Sequence, residues 1–397
     1  LSLLGFTVAL RVVTELDVEV VMFDDRRCGE EITHNTLIKD TMRQQNIVKD
    51  LVEFLCKSVV LLRQDHFVAD AAEGVKISQR CLKALASMIG WIDISLVVNN
   101  DVLSLLYDCL RSPGRELTAD ACKCLYEVVK KGMDPVNKVM MVHNIELLKM
   151  LLQVQLDVSL NVGGAAGTGA DKEEDDELFE SEYDDSETYD ENLAALMDLL
   201  FLEVLSCWLQ YEEHVLRIVP QVAPATMREE AARNASKNDK TEEKIDIPAL
   251  ERVGLLAGEM LHQCIPMIFT LLTSSLNTVY STVIPCLSKL LHVYKQQSGY
   301  SSKLKELDAN NSKSGSGGRY FVASEYIIEK SDLLTCIYKA IQYPPKFRFD
   351  LEDDDDCEEI EAKKQEVVCE LLQGMSRDVS TVDTSSLGAA TTTICNW

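Results

Sequence analysis

The sequence predicts an all-α fold of stacked, antiparallel helix pairs, and three observations support that prediction. Apolar residues recur at helical spacing along most of the chain, without convincing β-type alternation anywhere. Apolar residues make up 46% of the 397 residues and aromatic residues only 6%, which suits layers of Leu- and Val-rich helices. The third observation is an internal repeat between residues 81 and 135.

The internal repeat has a spacing of about 42 residues. Cys81-Leu82 recurs as Cys124-Leu125, and Gly90 recurs as Gly132. A period of about 40–47 residues is typical of HEAT repeats, each of which is a pair of antiparallel helices. The predicted fold is therefore a HEAT-repeat α-solenoid, a superhelix of such pairs.

The second copy of the repeat has the pattern of a half-buried helix. Its apolar face consists of Ala121, Leu125, Val128 and Val129. Gly132 then ends the helix, and Asp134-Pro135 supplies a cap and a first-turn proline for the next one.

The same periodicity predicts the remaining helices in order. The ranges before residue 160 are 3–22, 33–64, 75–90, 99–111, 116–132 and 135–156, and the second of these divides near Asn46. The later helices begin at 192 and then cover 247–260, 263–272, 279–296, 325–343 and 358–374. Pro266 suits a first turn, and Pro285 predicts a kink. Asp198 and Glu203 interrupt the apolar helix that begins at 192, which argues against membrane insertion.

Composition divides the chain into six parts. They are HEAT repeats (1–158), a Gly-rich and acidic low-complexity insert (159–191), further HEAT-like helices with a charged linker near 225–245 (192–298), a flexible Ser/Gly linker (299–322), a helical hairpin with an acidic connector (323–375), and a disordered or artefactual tail (376–397).

The N-terminus and the cysteines indicate an intracellular protein. The chain opens at Leu1 within an apolar stretch that lacks a basic region and a cleavage site, so we expect a native N-terminus further upstream rather than a signal peptide. Most of the 13 cysteines lie singly in apolar helical patterns, as expected for reduced, buried thiols in the nucleus or cytosol. Cys122 and Cys124 point about 200° apart on a helix, which excludes a shared metal ion.

The net charge of −26 is concentrated in two runs. Residues 171–191 carry −12 and residues 350–361 carry −9, so the rest of the chain, with 43 acidic and 38 basic residues, is nearly balanced. Local basic surface is therefore compatible with the overall acidity.

No constellation of catalytic or cofactor-binding residues has the required spacing. Phosphate loops, paired histidines and Gly-x-Ser-x-Gly elbows are absent from the sequence. Cys264 with His262, and Cys286 with His292, lie in apolar helical stretches and are interpreted as core residues. We therefore expect no enzyme, no cofactor, no metal site and no small-molecule substrate.

Two basic groups are candidates for contact with the phosphate groups of a ligand. Asn35, Lys39 and Arg43 lie at i, i+4 and i+8, opposite a buried side formed by Leu37, Ile38 and Met42. The alternative is a solvated face in which Lys39 and Arg43 pair with carboxylates such as Asp40.

The second basic group consists of Lys130, Lys131 and Lys138, near a predicted hairpin turn, and the same two interpretations apply. The acidic run formed by Asp353, Asp354, Asp355 and Asp356 lacks the spacing of a calcium loop. It is interpreted as a solvated connector or as a docking site for a basic partner.

Three blocks of sequence resemble a known family. HNTLIKDTMRQQ, GWIDISLVVNND and ACKCLYEVVKKGMDPVNK closely resemble stretches of the exportin-T family, the transfer-RNA export receptors of the importin-β superfamily, across residues 10–152. A weaker likeness covers YPPKFRFDLEDDDDCEE and the helix after it. The Gly/acidic run at 163–191 and the Ser/Gly run at 299–319 depart from the family pattern.

The resemblance implies a HEAT superhelix that binds tRNA together with Ran-GTP in the nucleus and releases both in the cytoplasm. The resemblance also implies shuttling between the two compartments and no catalytic activity, and it is compatible with contacts to nucleoporins. The repeats that grip Ran in the family precede the matched region, so Ran-GTP binding by this segment is expected to be weak. The alternative function is a HEAT scaffold or protein-cargo receptor that captures basic partners with its acidic runs.

Overall fold

The structure, a computed structural model, describes residues 3–16, 20, 29–63, 71–112, 117–161, 189–218, 247–272, 277–313 and 320–327. These residues are predominantly α-helical, and no β-strand occurs among them. The fold is thus the all-α, HEAT-like solenoid that the sequence predicts.

The helices follow one another in the order α1 Leu3–Leu16, α2 Gly29–Gln44, α3 Ile47–Leu62, α4 Ala71–Ile89, α5 Asn100–Leu110, α6 Thr118–Lys130, α7 Pro135–Asn144, α8 Leu147–Asn161, α9 Tyr189–Ile218, α10 Ile247–Leu272, α11 Asn277–Gln297, α12 Ser301–Lys313 and α13 Ser324–Ile327. A short 3-10 helix, Ile94–Leu96, precedes α5. The chain forms two compact units, unit 1 (1–132 and 145–196) and unit 2 (133–144 and 197–397).

Unit 1 contains the predicted repeat as two helix pairs, α3–α4 and α5–α6. The Cys124 thiol lies 3.3 Å from the Leu82 carbonyl oxygen, and Lys131 Nζ donates to the Ile89 carbonyl at 2.7 Å. Both contacts join residues that are 42 positions apart. Helices α4 and α6 therefore lie side by side in the same direction, as equivalent helices of successive repeats.

The core of this repeat confirms the predicted apolar face of α6. Ala121, Leu125, Val128 and Val129 are fully buried. Burial of side chains of this size stabilises the fold by about 1.5–3 kcal/mol for each Val or Leu. The predicted cap is also present, since the Asp134 carboxylate accepts from the amides of Val136 and Asn137 at 3.1 and 3.3 Å.

Helix boundaries agree with the sequence at one break and differ at two others. Asn46, with a φ of 57°, separates α2 from α3 as predicted. The predicted helix 135–156 is instead interrupted before α8, where Glu146 has a φ of 54°. The predicted break before Pro266 is absent, and α10 continues through this proline. Burial of Leu261, Ile265 and Ile268 offsets the hydrogen bond that proline removes.

Among the described residues, unit 2 contradicts the predicted flexible linker at 299–322 over residues 301–313 and 320–322. Residues 301–313 form α12, whose Leu304 is fully buried, and Tyr320 to Val322 lie in the core. The Ser/Gly composition hid the fact that Tyr300, Leu304, Tyr320 and Val322 join a single apolar cluster with Tyr211, Val215 and Leu250. The charged linker near 225–245, the acidic connector and the tail lie outside the described residues, as does most of the 159–191 insert.

Two helical stretches, Tyr189–Val215 and Leu250–Leu272, are long and apolar enough to cross a membrane by length and composition alone. The sequence argument against a span, based on Asp198 and Glu203, was therefore too strict. In each helix 61% of the apolar window is buried inside the protein, as in the core helices of soluble proteins.

Candidate nucleic-acid interface

Helix α2 places Asn35, Lys39 and Arg43 on one face, but the predicted burial pattern holds only at its C-terminal end, where Met42 is buried and Arg43 is exposed. Leu37 and Ile38 are 63% and 41% exposed, whereas Asn35 and Lys39 are partly buried. Met42 alone among the predicted apolar residues is buried, so α2 packs by its C-terminal end. The expectation of a buried Leu37 and Ile38 was wrong because the spacing defines a face without specifying the neighbour that covers it.

Arg43 is held by a turn that follows α4. Its guanidinium donates to the Trp91 carbonyl at 2.8 Å and to Asp40 at 3.0 Å, and it lies 5.4 Å from the centre of the Trp91 ring. The pairing with Asp40 is the one that the alternative interpretation named. A cation over an indole ring contributes about 0.5–1 kcal/mol at an exposed site.

Lys131 reaches the same turn from α6. Its ammonium donates to the carbonyl oxygens of Ile89 at 2.7 Å and Ile92 at 2.5 Å, and lies 3.5 Å from that of Gly90. Partial burial lowers the pKa of Lys131, the Asp93 carboxylate opposes that shift, and the nearby Arg43 charge adds to it.

Two predicted RNA-binding cations thus meet at the C-terminal end of α4. The last carbonyls of a helix have no intrahelical partner and carry a partial negative charge, which positive side chains satisfy. Lys131 serves this purpose at the Ile89 carbonyl, whereas Arg43 binds the Trp91 carbonyl in the turn just beyond the helix. The spacing of Arg43 and Lys131 in the sequence did not predict that they lie close together. The Gly90-Trp91 pair after a helix did indicate a turn at this position.

Lys130 is the most exposed of the predicted lysines. Its side chain is 56% exposed, lies over the Tyr126 ring at 5.4 Å and pairs with Glu127 at 3.5 Å. An exposed pair of this kind stabilises little and is easily exchanged for another anion. Lys130 can therefore contact a phosphate at small cost.

Lys138 does not fit the predicted surface. It is 2% exposed, and its ammonium donates to Glu203 of α9 at 2.8 Å. The carboxylate that pairs with it lies 65 positions away, which local sequence could not indicate. Lys138 is a buried ion-pair residue of unit 2, and we exclude it from the candidate interface.

The remaining candidates are interpreted from the same geometry. Asp353 to Asp356 lie outside the described residues. Burial raises the pKa of Cys264 to about 12, and Cys286 is buried against Asp198 at 3.0 Å, so both thiols are poor nucleophiles. No group of His, Cys, Asp or Glu among the residues described could hold a metal ion.

Arg43, Lys130 and Lys131 together can offer positive charge to an anionic chain, with Asn35 and Lys39 further along α2. Arg and Lys side chains are common donors to phosphate oxygens, and phosphate contacts position a nucleic acid without reading its sequence.

Comparison with known proteins finds similarity over the N-terminal part of the chain. Residues 2–125 match the family described as Exportin 1-like protein. This range contains Arg43 and Trp91 and ends inside α6.

Curated proteins that are similar to this chain carry the name Exportin-T. The human protein is 35% identical over 141 residues, which are 36% of this chain and 14% of the human protein. The zebrafish (Danio rerio) protein is 34% identical over 141 residues, with the same coverage of both chains. The Dictyostelium discoideum protein is 31% identical over 148 residues, which are 37% of this chain and 12% of that protein. The chain therefore spans 14% or less of these relatives.

Proposed function

We propose that this chain, whose N-terminal part is an exportin-T-like HEAT solenoid, acts in a nuclear export receptor for tRNA. In this proposal, tRNA binds cooperatively with Ran-GTP in the nucleus and is released in the cytoplasm, so the protein shuttles between the two compartments. The similarity to Exportin-T proteins over 141 residues is the observation that carries the proposal.

The cations of unit 1 supply a physical route for RNA binding. Lys130 is exposed, and Arg43 and Lys131 lie at the same turn, so their charges can attract phosphates without base contacts. Double-stranded RNA is recognised mainly through its shape, its phosphates and its 2′-hydroxyls. A receptor that carries many tRNA sequences needs this kind of contact.

The test is a titration of fluorescent tRNA with the 397-residue chain at several salt concentrations. Phosphate contacts release counterions, so the logarithm of the affinity should fall linearly with the logarithm of the salt concentration. Lys130→Gln should reduce the slope by about one unit. Lys57→Gln is the matched control, because Lys57 is an exposed lysine on α3 that pairs with Glu53. Equal slopes for both variants would remove Lys130 from the interface.

Cooperativity with the GTPase is a separate measurement. Addition of Ran-GTP should raise tRNA affinity, by an amount that we expect to be small for this segment and larger for a chain that includes further repeats. If tRNA binds equally with Ran-GTP and Ran-GDP to such a longer chain, the proposed export function is wrong.

A second candidate is a receptor for protein cargo, favoured by the acidic runs at 171–191 and 350–361. Reversal of Asp353 to Asp356 to lysine should then abolish binding of a basic peptide while tRNA binding stays unchanged. Loss of neither activity would remove this run from both functions.

A further inference from the structure

Helix α4 presents one exposed stripe, and three cations lie in the middle of it. The helix packs against α1, α3 and α6, which leaves a single side open to solvent. From the first turn onward its exposed residues follow helical spacing, and they are Glu73, Lys76, Arg80, Lys83, Ser87 and Gly90. The stripe contains no acidic residue after Glu73, so it is positively charged over about 10 Å, the helical rise from Lys76 to Lys83.

The three cations of α4 differ from exposed cations on the other helices of unit 1. Those cations pair with carboxylates three or four positions away at 4.0 Å or less, as in Arg11–Glu15, Arg43–Asp40, Lys49–Glu53, Lys57–Glu53, Arg111–Asp108, Lys130–Glu127 and Lys149–Glu146. Within the described residues, no such ion pair involves Lys76, Arg80 or Lys83. Their charges can therefore be neutralised by an anion from outside the chain.

A second row of cations lies beside the first, on α6. Helices α4 and α6 run in the same direction, with equivalent positions 42 residues apart. To within one position, Lys123 is therefore level with Arg80, and Lys130 is level with Ser87. Packed helices lie about 8–10 Å apart, so the two rows form one surface. We define the α4–α6 basic surface by its cations, Lys76, Arg80, Lys83, Lys123 and Lys130.

The α4–α6 basic surface offers charge without exposed apolar side chains. In the described part of the chain, the exposed large apolar residues lie between Val8 and Leu61, on α1, α2 and α3. A protein interface generally has an apolar and aromatic core that is depleted in charge. A phosphate backbone, by contrast, is bound by cations alone. The composition of this surface favours a nucleic acid over an acidic protein.

The surface also lacks an open aromatic platform. Single strands are bound by stacking their bases on aromatic side chains. The aromatic residue of this part of α6, Tyr126, is partly buried, and the Lys130 ammonium lies 5.4 Å from the centre of its ring. Double-helical RNA needs no such platform, because proteins bind it through its shape, its phosphates and its 2′-hydroxyls.

We propose that the α4–α6 basic surface binds the phosphate backbone of a double-helical segment of RNA. This inference rests on the proposed function, in which tRNA is the ligand, and it assigns the main contact to the exposed stripe of α4. The turn that holds Arg43 and Lys131 lies at the end of this stripe. Phosphate contacts carry no sequence information, so duplexes of different sequence should bind equally well.

The test is the triple variant Lys76→Gln, Arg80→Gln and Lys83→Gln of the 397-residue chain. Fluorescence anisotropy measures its binding to tRNA and to a labelled RNA duplex at several salt concentrations. We expect roughly tenfold weaker binding at about 0.1 M salt, and a salt slope that is smaller by about two to three, because three phosphate contacts are lost. Circular dichroism should show unchanged helix content and Tm, since the three side chains have no ion-pair partner in the described residues.

The matched control is the triple variant Lys49→Gln, Lys57→Gln and Lys149→Gln. It removes the same charge from unit 1, but from exposed lysines that pair with Glu53 and Glu146 outside the α4–α6 basic surface. The control should retain the salt slope of the unchanged chain. Equal losses in the two triple variants would show a dependence on net charge alone and overturn the inference.

The unchanged chain separates this inference from the proposed function. If it binds tRNA and the α4 variant binds tRNA equally tightly, the inference is wrong and the proposed function stands. If the unchanged chain binds neither tRNA nor the duplex, both are wrong.

Two further ligands test the class of partner. A single-stranded oligouridine that depends on the α4 cations as strongly as the duplex would overturn the assignment to double-helical RNA. A polyglutamate peptide whose binding is lost in the α4 variant, while RNA binding is retained, would identify an acidic protein as the partner and overturn the proposal. We expect the α4 variant to lose binding of the duplex most strongly.

Discussion

The turn after α4 in unit 1 and the Glu212–Gln297 network in unit 2 both pair backbone carbonyl groups with side chains, but in different surroundings. In both, side chains satisfy backbone carbonyl groups that no regular element pairs. The turn uses the cations Arg43 and Lys131 near the surface, whereas the network uses a buried, neutral amide.

The difference shows how burial selects the chemistry of a backbone contact. A cation near water keeps part of its hydration and gains from the helix dipole. A charge deep in unit 2 would lose that hydration, and burial raises the pKa of Glu212 to about 8 despite the opposing bonds from Gln297 and Tyr300. Glu212 is therefore mainly protonated at neutral pH, and the network carries little charge.

Lys138→Met should have the largest effect on stability, because it leaves the Glu203 carboxylate of unit 2 without the cation that pairs with it. We expect a loss of about 3 kcal/mol in unfolding free energy, since removal of one member of a buried pair leaves an uncompensated charge. The measurement is urea unfolding followed by Trp208 fluorescence in a chain with Trp91→Phe and Trp397→Phe. The double change Lys138→Met with Glu203→Leu should recover most of the loss, and a failure to do so would contradict the pairing.

Gly254→Ala tests how closely α9 and α10 pack in unit 2. A Cβ at Gly254 would overlap the side chain of Tyr211, so α10 or the tyrosine must move. Overpacking of this kind costs about 2 kcal/mol, again measured by urea unfolding. Gly90→Ala in unit 1 is the control. A Cβ at Gly90 would lie 3.9 Å from the Ser87 carbonyl oxygen, so this change should leave the unfolding free energy almost unaltered.

Glu212→Gln sharpens the contrast in protonation. Between pH 4.5 and about 8 the folded chain keeps a proton on Glu212 that the unfolded chain loses, so stability of unit 2 falls as pH rises and levels off above about 8. The slope is at most about 1.4 kcal/mol per pH unit for one proton. Unfolding free energies from pH 5 to 8 should lose this slope in Glu212→Gln and retain it in the exposed neighbour variant Glu213→Gln.

Lys131→Met addresses the turn of unit 1 and has the smallest expected effect. Removal of its bonds to the Ile89 and Ile92 carbonyls should lower unfolding free energy by about 1 kcal/mol. Lys130→Met, one position earlier and 56% exposed, should change it by less than about 0.5 kcal/mol. Thermal unfolding of both variants by circular dichroism makes the comparison, and an equal response would refute the capping role of Lys131.

The sequence contained enough information for the fold but only part of the candidate interface. The spacing of Cys81 and Cys124 predicted stacked repeats because helical period and repeat period are local properties. The cap at Asp134 and the break at Asn46 follow from single-residue preferences, and the structure confirms them.

The wrong predictions of burial share a physical cause. In each, the burial of a residue depends on a partner that is distant in the sequence. Leu37 is exposed because no helix of the described residues covers it, and Lys138 is buried because Glu203 lies opposite. The buried segment at 320–323 was hidden in a Ser/Gly-rich region, and Gln297, which binds it, has no distinguishing sequence pattern.

The 42-residue separation of Lys131 from Ile89 also affects the order in which the chain can fold. Repeat contacts of short sequence separation close small loops, so they carry a modest entropic cost and form early. The contact between Tyr211 and Tyr320 joins residues that are 109 positions apart, so it can form only after much more of the chain is available. During synthesis on the ribosome, the repeats of unit 1 can therefore pack while the apolar cluster around Tyr211 in unit 2 still lacks Tyr320 and Val322.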